Sequence, residues 1–542
     1  MNFGNSSLRI VVLSGPIGAG KSALAQQLVT QYGAKVIKTR DLIRKQLPKV
    51  GEERGALQRA GERLDRADGG AWVKNALVRF IEDTVEGPSA SGFFVIDSAR
   101  IPGQVRAVRD AYGTAVHHIH LDASDAVLSD RYAKRGNTTK EFERYEEVRR
   151  SKTEREVRKL ANVADTVVAT DRCTPAAVLV RAIALLGLYP RMATPLVDVL
   201  VGGQYGSEGK GNIVGHIAPE YALLVRVGGP NAGHKVYAEP EPEAYFHLPS
   251  GTERAPEAQL LLGAGAVIFP PKLLQEIAVH HVEAERLSID PHAMIIDDAD
   301  IELEKVLLDT ISSTAQGVGA ASARKIMGRG GKANPNVRLA KDVPELKPFI
   351  REGQAILERA FVRGDRVLLE GTQGTSLSLH HGIYPWVTSR ETTVVGCLAD
   401  AGIASTRVRR VVMVCRTYPI RVGGPSGDMN LEITYEELAR RSGIDIVELK
   451  KTETTTTTKK QRRIGEFDWE QLHRSTMLNG PTDIALTFVD YLDRANRDAF
   501  RFDQLKLETV RFVEEIERVS GVPVSLISTN FSWRNVIDRR SW

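Results

Sequence analysis

The chain has 542 residues, of which 42% are hydrophobic and 26% are charged, and its formal net charge is +5. This length favours two or three domains, and so small a net charge argues against nucleic acid as a partner. The three cysteines lack any Cys-x-x-Cys spacing, which argues against a disulfide framework or a zinc site and favours a reducing cytoplasm. A short polar N-terminus and the lack of a long apolar run argue against secretion and against a membrane partner.

The first part of the chain has the pattern of alternating strands and helices. Its predicted elements are strands at Leu8–Leu13, Phe93–Asp97, His117–Leu121 and Thr166–Ala169 and helices at Ser22–Tyr32 and Pro175–Leu186. Short apolar strands separated by helices are typical of a parallel sheet with both faces covered. The proline-containing stretch 188–196 is predicted to be a linker, so that 1–187 and 197–542 form two α/β domains.

A glycine-rich loop follows the first predicted strand and opens the first predicted helix. Its sequence is Gly15-Pro16-Ile17-Gly18-Ala19-Gly20-Lys21-Ser22. The glycines let the backbone wrap a β-phosphate, the lysine reaches the β- and γ-oxygens, and the serine hydroxyl is offered to Mg²⁺. Asp97 ends a later strand as a carboxylate. The first domain is therefore predicted to be of the P-loop NTPase type.

Arginines elsewhere in this domain fit a kinase. Arg40 and Arg100 each follow a predicted strand, and Arg131 belongs to a segment that can close over a transferred phosphoryl group. With the P-loop, these features resemble nucleoside-monophosphate kinases and dephospho-coenzyme A kinase over residues 8–186, which implies a nucleotide kinase. Nucleotide binding that only regulates the second domain stays an alternative.

A second glycine-rich loop lies near the middle of the chain. It runs Gly202-Gly203-Gln204-Tyr205-Gly206-Ser207-Glu208-Gly209-Lys210-Gly211-Asn212, between the apolar stretch Val197–Val201 and a helical pattern from Ile213. Such a turn presents backbone N–H groups and a helix N-terminus to an anion. A strand-like run then leads into Gly228-Gly229-Pro230-Asn231-Ala232-Gly233-His234. Both Lys210 and His234 are expected in exposed glycine turns, and the histidine is interpreted as catalytic.

Both segments resemble the signature of adenylosuccinate synthetase, whose loop reads Gly-Asp-Glu-Gly-Lys-Gly and whose second segment ends in Asn-Ala-Gly-His. Further matching segments, in the family's order, are His247–Gly251, Ser313–Gly319, Glu370–Thr375, His381–Ser389, Arg421–Gly423, Leu486–Asp490 and Ile527–Thr529. The resemblance covers 197–542 in the compact form of the family and implies a mostly parallel α/β domain. It also implies a ligase that moves the γ-phosphoryl group of GTP or ATP to the 6-oxygen of a purine nucleoside monophosphate with Mg²⁺. The ligase then joins L-aspartate at C6 and works as a homodimer.

The resemblance also carries over site residues. The implied catalytic residues are His234, Lys210, Ser207 and Gln373. The implied nucleotide-binding residues are Gly206, Glu208, Gly209, Gly211, Asn231, Thr314, Thr388, Asp490, which reads the donor base, and Arg329, which the partner subunit supplies. The implied aspartate-binding residues are Thr457, Thr458 and Arg463. The implied Mg²⁺ ligands are Gly233 and Ser207 here and Ser22 in the first domain.

Three positions depart from the family. Ser207 replaces the aspartate that removes the N1 proton and binds Mg²⁺, Gln461 replaces an arginine near the ribose, and Phe488 replaces a lysine beside the donor base. Serine lacks the charge and the pKa of that base, so the domain is expected to be inactive, to be slower on hypoxanthine, or to accept a base with a 2-amino group. A serine here resembles the viral branch that makes 2-aminoadenylosuccinate from deoxyguanylate. The leading acceptor is thus dGMP or GMP, the other is IMP, and a nucleotide-sensing pseudo-enzyme stays the alternative.

Overall fold

The computed structural model describes residues 8–51, 54–83, 92–134, 144–186, 194–237, 242–330, 336–454 and 460–542. The chain divides into two compact units, Met1–Arg191 and Met192–Trp542. The division falls within the predicted linker 188–196, of which 188–193 lie outside the described residues. Within the described ranges, no helix is both long enough and apolar enough to cross a membrane.

The first unit is built around a parallel sheet. In chain order it contains β1 (Arg9–Ser14), α1 (Lys21–Tyr32), β2 (Lys35–Lys38), α2 (Thr39–Gln46), α3 (Arg54–Asp68), α4 (Ala71–Glu82), β3 (Phe93–Asp97), α5 (Pro102–Tyr112), β4 (Val116–Asp122), α6 (Asp125–Ala133), α7 (Tyr145–Arg150), α8 (Lys152–Lys159), β5 (Thr166–Ala169) and α9 (Pro175–Leu185). The strand order is β2-β3-β1-β4-β5, and every pairing is parallel. The predicted P-loop type of sheet is therefore confirmed.

Side chains of β1 alternate between two buried clusters. Val11 and Leu13 pack in the cluster that contains Leu24 and Leu28 of α1. Ile10 and Val12 pack on the other side with residues of α4 and α5. Because successive strand side chains point to opposite faces, the continuous apolar run of β1 is the pattern of a strand covered on both faces.

The second unit is larger. In chain order it contains β6 (Val197–Gly202), α10 (Lys210–Ile217), β7 (Leu223–Arg226), β8 (His234–Val236), β9 (Glu243–Tyr245), β10 (Gln259–Leu262), β11 (Val267–Ile268), α11 (Pro270–Val279), β12 (Leu287–Ile289), β13 (Met294–Ile295), α12 (Asp298–Glu304), α13 (Val306–Thr310), α14 (Val318–Met327), α15 (Gly353–Arg363), β14 (Val367–Glu370), α16 (Val394–Ala401), β15 (Val408–Arg416), β16 (Ile420–Val422), β17 (Glu432–Ile433), α17 (Tyr435–Ser442), α18 (Ile446–Thr452), β18 (Arg462–Gly465), α19 (Trp469–Asn479), β19 (Asp483–Thr487), α20 (Leu507–Ser520), β20 (Val524–Ser528) and β21 (Val536–Asp538).

The main sheet of this unit has the strand order β12-β10-β7-β14-β6-β15-β19-β20-β21. Its pairings are parallel except for the edge strand β21, which is antiparallel to β20. Val199 and Val225 pack on one face, whereas Leu200 and Leu224 pack on the other. The loops that leave β6, β7 and β14 therefore meet at one carboxyl edge, where ligands bind in open parallel sheets.

Candidate functional site

The glycine-rich loop after β6 is arranged around an internal carboxylate. Oε1 of the fully buried Glu208 accepts hydrogen bonds from the backbone N–H groups of Gln204 (3.0 Å) and Gly206 (2.7 Å). Nζ of Lys210 lies 2.7 Å from Oε2 of Glu208 and donates to the carbonyl of Gln373 at 2.6 Å. The loop amides and the lysine thus already surround one negative charge, as they would surround a phosphate.

The position of Lys210 corrects the prediction made from the sequence. The helical pattern was expected to begin at Ile213, but α10 begins at Lys210, because Gly209 adopts φ 85° as its N-cap. Lys210 is only 2% exposed rather than standing in an exposed turn. A Cβ on Gly374 would lie 2.5 Å from Oε1 of Glu208, so glycine is needed where the loop after β14 crosses this loop.

His234 is also buried, contrary to the expectation of an exposed turn. It begins β8 and is 6% exposed. Its Nδ1 lies 2.5 Å from Oε1 of Glu370, the last residue of β14. Nη1 of Arg226 lies 3.0 Å from the same carboxylate, and the hydroxyl and backbone N–H of Ser250 donate to it. Arg226 and Glu370 are register partners on adjacent strands, so the main sheet itself sets this cluster.

The two titratable groups of this cluster, His234 and Glu370, differ in protonation state at neutral pH. Burial, aided by the positive charge of Arg226, lowers the pKa of His234 to about 4. Burial raises the pKa of Glu370, but Arg226 and the hydrogen bond from His234 outweigh it, so the pKa is lowered to about 2. At neutral pH the carboxylate is therefore ionised and the histidine neutral. Its Nδ1–H donates to Glu370, which leaves Nε2 as the atom available to a ligand.

Three buried polar atoms beside this cluster have no hydrogen-bond partner within the described part of the chain. They are Nε2 of His234, Nε2 of Gln373 and Oδ1 of Asn231. The amide nitrogen of Asn231 lies 3.4 Å from the hydroxyl of Thr388, which brings these two predicted residues together. Buried polar atoms are rarely left unpaired. Unpaired atoms on the loops after β7 and β14 mark the place of a polar ligand.

Arg416 and Glu453 form a second buried cluster, which no motif in the sequence predicted. Nη2 of Arg416 donates to Oε1 of Glu453 at 2.6 Å, and its Nη1 donates to the carbonyl of Ser207 at 3.3 Å. The Arg416 guanidinium also lies 3.9 Å from the ring centre of Phe488, which stands where the family has a lysine. Arg416 therefore contacts the backbone of Ser207, one of the three positions that depart from the family.

Asp490 lies near a cleft at the ends of β19 and β20. The cleft is lined by Gly209, Asn212, Thr487, Phe488, Ser528, Asn530 and Phe531. Oδ2 of Asp490 accepts from Arg497 at 3.0 Å, while its buried Oδ1 has no partner among the described residues. Burial raises the pKa of Asp490 to about 6, and Arg497 opposes that shift. A buried carboxylate with one free oxygen suits a base that offers N–H groups.

The other residues singled out in the second unit divide into three groups: residues that flank α14, residues that are already hydrogen-bonded within the unit, and residues that lie outside the described ranges. Thr314 is half-buried just before α14, and Arg329 is exposed just after it, with Nε donating to the carbonyl of Ile326. The guanidinium of Arg463 is already paired with Glu432, and Gln461 donates to the Glu453 carbonyl at 2.8 Å. Thr457 and Thr458 lie outside the described residues.

The P-loop of the first unit has the predicted local geometry. Gly15, Gly18 and Gly20 all have positive φ, and Lys21 donates to the carbonyls of Gly15 (2.7 Å) and Pro16 (2.9 Å). Ser22 donates to Oδ2 of Asp97 at 3.0 Å. A hydroxyl beside a carboxylate is a donor set that suits Mg²⁺ with nucleotide phosphates.

This P-loop opens onto a cavity of about 1810 Å³. Its lining includes Lys21, Ser22, Arg40, Arg44, Arg59, Asp65, Trp72, Asp97, Arg100, Arg131 and Glu154. A pocket for one small ligand commonly measures about 300–1,000 Å³. The cavity thus has room for a second ligand beside a nucleotide, and the predicted arginines Arg40, Arg100 and Arg131 all line it.

Comparison with known families assigns both units. The Adenylosuccinate synthetase family matches residues 199–343 and 334–497, together more than half of the chain. The chain belongs to the adenylosuccinate synthetase family. An AAA domain family matches residues 10–163, which supports the P-loop assignment of the first unit. The predicted resemblance is therefore confirmed for both parts of the chain.

Individual relatives each match 63% of the chain. Adenylosuccinate synthetase of Thermococcus onnurineus is 37% identical over 352 residues, which are 63% of this chain and 98% of the relative. That of Methanocaldococcus jannaschii is 36% identical over 352 residues, 63% of this chain and 96% of the relative. The chain thus spans nearly the whole length of these relatives and adds the P-loop unit before it. A C–N ligase of the adenylosuccinate synthetase type follows from this likeness.

Two solved structures are similar. The succinoaminodeoxyadenylate synthetase of cyanophage S-2L, bound to dGMP and to dATP as an energy donor, is 27% identical. It covers 65% of this chain and 97% of its own, with a TM-score of 0.53. Adenylosuccinate synthetase of Plasmodium falciparum is 22% identical and covers 64% of this chain and 100% of its own, with a TM-score of 0.54. The second likeness supports the fold alone.

Proposed function

We propose that the second unit joins L-aspartate to C6 of a purine nucleoside monophosphate that carries a 2-amino group, with dGMP the leading acceptor. The reaction runs through a 6-phosphoryl intermediate formed from a nucleoside triphosphate. The observation that carries the proposal is the set of unpaired buried atoms, Nε2 of His234, Nε2 of Gln373 and Oδ1 of Asn231, beside a loop built around an anion. A nucleotide sensor would also need such atoms to bind its ligand, so aspartate-dependent turnover is the property that separates a ligase from a nucleotide-sensing pseudo-enzyme.

The choice of acceptor depends on Ser207. The cyanophage enzyme that binds dGMP is 27% identical to this chain. A serine is smaller than the family's aspartate and uncharged, so it leaves room for a 2-amino group beside N1. IMP remains the competing acceptor, since nothing about a serine excludes a hydrogen at C2.

The two steps place different demands on the site. In the first, N1 loses its proton to water, the 6-oxygen attacks the γ-phosphorus, and the bond from that phosphorus to the β,γ-bridging oxygen breaks. The negative charge of the phosphoryl group raises the pKa of His234, so that Nε2 can hold a proton toward O6. In the second, the aspartate amine bonds to C6 and loses a proton to water, and inorganic phosphate leaves with O6. For either step, Lys210 must leave Glu208 for the phosphates.

Mg²⁺ would neutralise phosphate charge in this unit. Its implied ligands, the Gly233 carbonyl and the Ser207 hydroxyl, are neutral oxygens, and Glu208 is turned toward the loop amides and Lys210. These residues fit an ion whose anionic ligands come mostly from the nucleotide.

The donor triphosphate is GTP or ATP. Asp490 has one unpaired oxygen that suits the N–H groups of a guanine, which favours GTP. Phe488 replaces the family's lysine, which loosens that preference.

We propose a second activity for the first unit, phosphoryl transfer from a nucleoside triphosphate to a nucleoside monophosphate. The Ser22–Asp97 contact and the arginine-lined cavity support it. Such a kinase would act on monophosphates of the kind that the second unit and the following steps produce.

The second unit is proposed to act as a homodimer. Leu303, Val306, Ile326 and Met327, on α12, α13 and the end of α14, are 57–78% exposed although apolar. They precede Arg329, the residue that the resemblance assigns to the partner's site. An exposed apolar surface next to such an arginine suits a second copy of the chain.

A nucleotide panel tests the proposed ligase. The protein is incubated with IMP, GMP, dGMP or XMP, L-aspartate, Mg²⁺ and either GTP or ATP, and products are identified by mass. We expect an aspartate adduct from dGMP. Turnover only with IMP would contradict the 2-amino acceptor, and no aspartate-dependent turnover with any nucleotide would favour the nucleotide-sensing alternative.

A further inference from the structure

A chain of hydrogen bonds leads from α16 to the side chain of Gln373. Arg390 is paired with Asp400 of α16 and donates from Nη1 to the hydroxyl of Thr372 at 2.9 Å. The hydroxyl of Thr372 in turn donates to Oε1 of Gln373 at 2.7 Å. Thr372 and Gln373 are 1% and 7% exposed, so water does not replace these partners.

The donors and acceptors favour one direction for this chain. A guanidinium donates and cannot accept, so Thr372 accepts from Arg390. The Thr372 proton then goes to the amide oxygen of Gln373, because with the amide reversed the hydroxyl proton would lose this acceptor and the buried amide oxygen would lose this donor. The two ends of the Gln373 amide are thereby distinguished by chemistry. Its NH₂ group is the end left buried and without a partner in the described structure.

The backbone around the chain is shaped to hold it. Gly228, at the end of β7, has φ 104°, and a Cβ there would collide with Nη1 of Arg390 and with Oγ1 of Thr372. A Cβ on Gly265 would lie 2.5 Å from Oδ1 of Asp400. Gln373 itself has φ 57°, a strained value for this residue type, and Lys210 holds its carbonyl. Several contacts hold Gln373 in this strained conformation, which indicates that the orientation of its side chain is important for function.

We propose that Thr372 and Arg390 are positioning residues that lock the Gln373 amide with its NH₂ group toward the purine, so that the site selects a 6-oxo purine over a 6-amino purine. This inference rests on the proposed function and extends it. A fixed N–H donor pairs with an oxygen at C6, whereas an amino group there would set donor against donor. Discrimination of this kind is strong, because the wrong partner leaves buried donors unpaired.

Equilibrium binding to the full-length protein tests the lock without requiring turnover. The probes are dGMP and the deoxynucleoside monophosphate of 2,6-diaminopurine, which share the 2-amino group, with calorimetry giving both Kd values. We expect the wild type to prefer dGMP. Thr372→Val removes the hydroxyl, keeps the shape of the side chain and leaves the Gln373 amide free to rotate. The ratio of the two Kd values should then fall by about tenfold or more, which corresponds to the free energy of one hydrogen bond.

Thr372→Ser is the matched control, because it keeps the hydroxyl and should keep the preference. The inference would be overturned if the valine and serine variants lost the preference equally. It would also be overturned if Thr372→Val weakened the binding of both ligands by the same factor, or if the wild type bound both ligands equally. The measurement is repeated with IMP and AMP. If dGMP proves not to be the acceptor, a preference for IMP over AMP that Thr372→Val reduces still supports the proposed role of Thr372. Failure of the proposed acceptor is thereby distinguished from failure of this inference.

Discussion

Nδ1 of His234 lies 2.5 Å from Oε1 of Glu370, and both side chains are buried. The bond fixes the ring so that Nε2 is presented to the site, and it joins the loop after β7 to the end of β14. Burial and Arg226 lower the pKa of His234. Burial raises the pKa of Glu370, but Arg226 together with His234 outweighs it and lowers that pKa, so this buried cluster makes the stability of the fold sensitive to acid.

We expect the melting temperature to fall as the pH drops below about 6.5. The pKa of His234 is lowered from 6.5 to about 4, so its stabilising contribution is complete above pH 6.5 and is lost as the pH falls through 4. The pKa of Glu370 is lowered from 4.5 to about 2, so its contribution is lost below 4.5. His234→Asn should flatten the decline between pH 6.5 and 4. Identical melting profiles of variant and wild type would contradict the assignment.

His234→Ala and Lys210→Ala should each reduce kcat for aspartate ligation by about a thousandfold, a typical loss for a group that stabilises transition-state charge. Because both residues are buried, the variants should also melt at lower temperature. Lys210→Ala leaves Glu208 buried without its cation, so adding Glu208→Gln should recover part of the melting temperature and none of the activity. Retention of more than about a tenth of kcat by both single variants would refute this site.

Ser207→Asp separates the two candidate acceptors. If the acceptor carries a 2-amino group, the larger anion crowds that edge and kcat/KM for dGMP should fall, by about tenfold or more. If the acceptor is IMP, the same change restores a base and kcat/KM for IMP should rise. Steady-state kinetics on both nucleotides decide between these outcomes. A wild type that favours IMP, improved further by Ser207→Asp, would overturn the 2-amino acceptor.

Lys21→Ala should abolish phosphoryl transfer by the first unit and leave aspartate ligation unchanged. Lys21 lies in the P-loop and reaches the carbonyls of Gly15 and Pro16, where phosphate oxygens would bind. The assay follows diphosphate formation from a panel of monophosphates. Asp97→Asn is the companion variant, since it removes the charge beside Ser22. Loss of ligation in Lys21→Ala would show that the two activities are coupled.

Fragments 1–186 and 197–542 should each fold, and the second should be a dimer. Met327→Asp should make it monomeric, while Met477→Asp should not, although both methionines are more than 70% exposed. Mixing the inactive variants His234→Ala and Arg329→Ala should restore up to about a quarter of the activity, because half the dimers then contain one intact site. A fully active monomer, or no restoration on mixing, would contradict a site shared between subunits.

The sequence predicted the fold class because the signals are local. Apolar runs such as Val197–Val201, and the glycines of both loops, specify strands and anion-binding turns within a few residues of each other. Family segments then predicted His234, Lys210 and Gln373 as site residues, and the family itself is confirmed by the matching residues 199–343 and 334–497. The exposure of His234 and Lys210 was predicted wrongly, because burial depends on which distant loops cover a turn.

The tertiary structure decided the partners of those residues. Glu370 is 136 positions from His234, and Lys210, which is paired with Glu208, donates to the carbonyl of Gln373 163 positions away. No local pattern reports such a contact, because it follows from the order of the strands in the sheet. The sequence by itself thus determined which residue types the glycine-rich loops carry, and from them predicted a phosphate site and a purine site. Only the packing of β6, β7 and β14 decided which of their polar atoms are already paired and which are not.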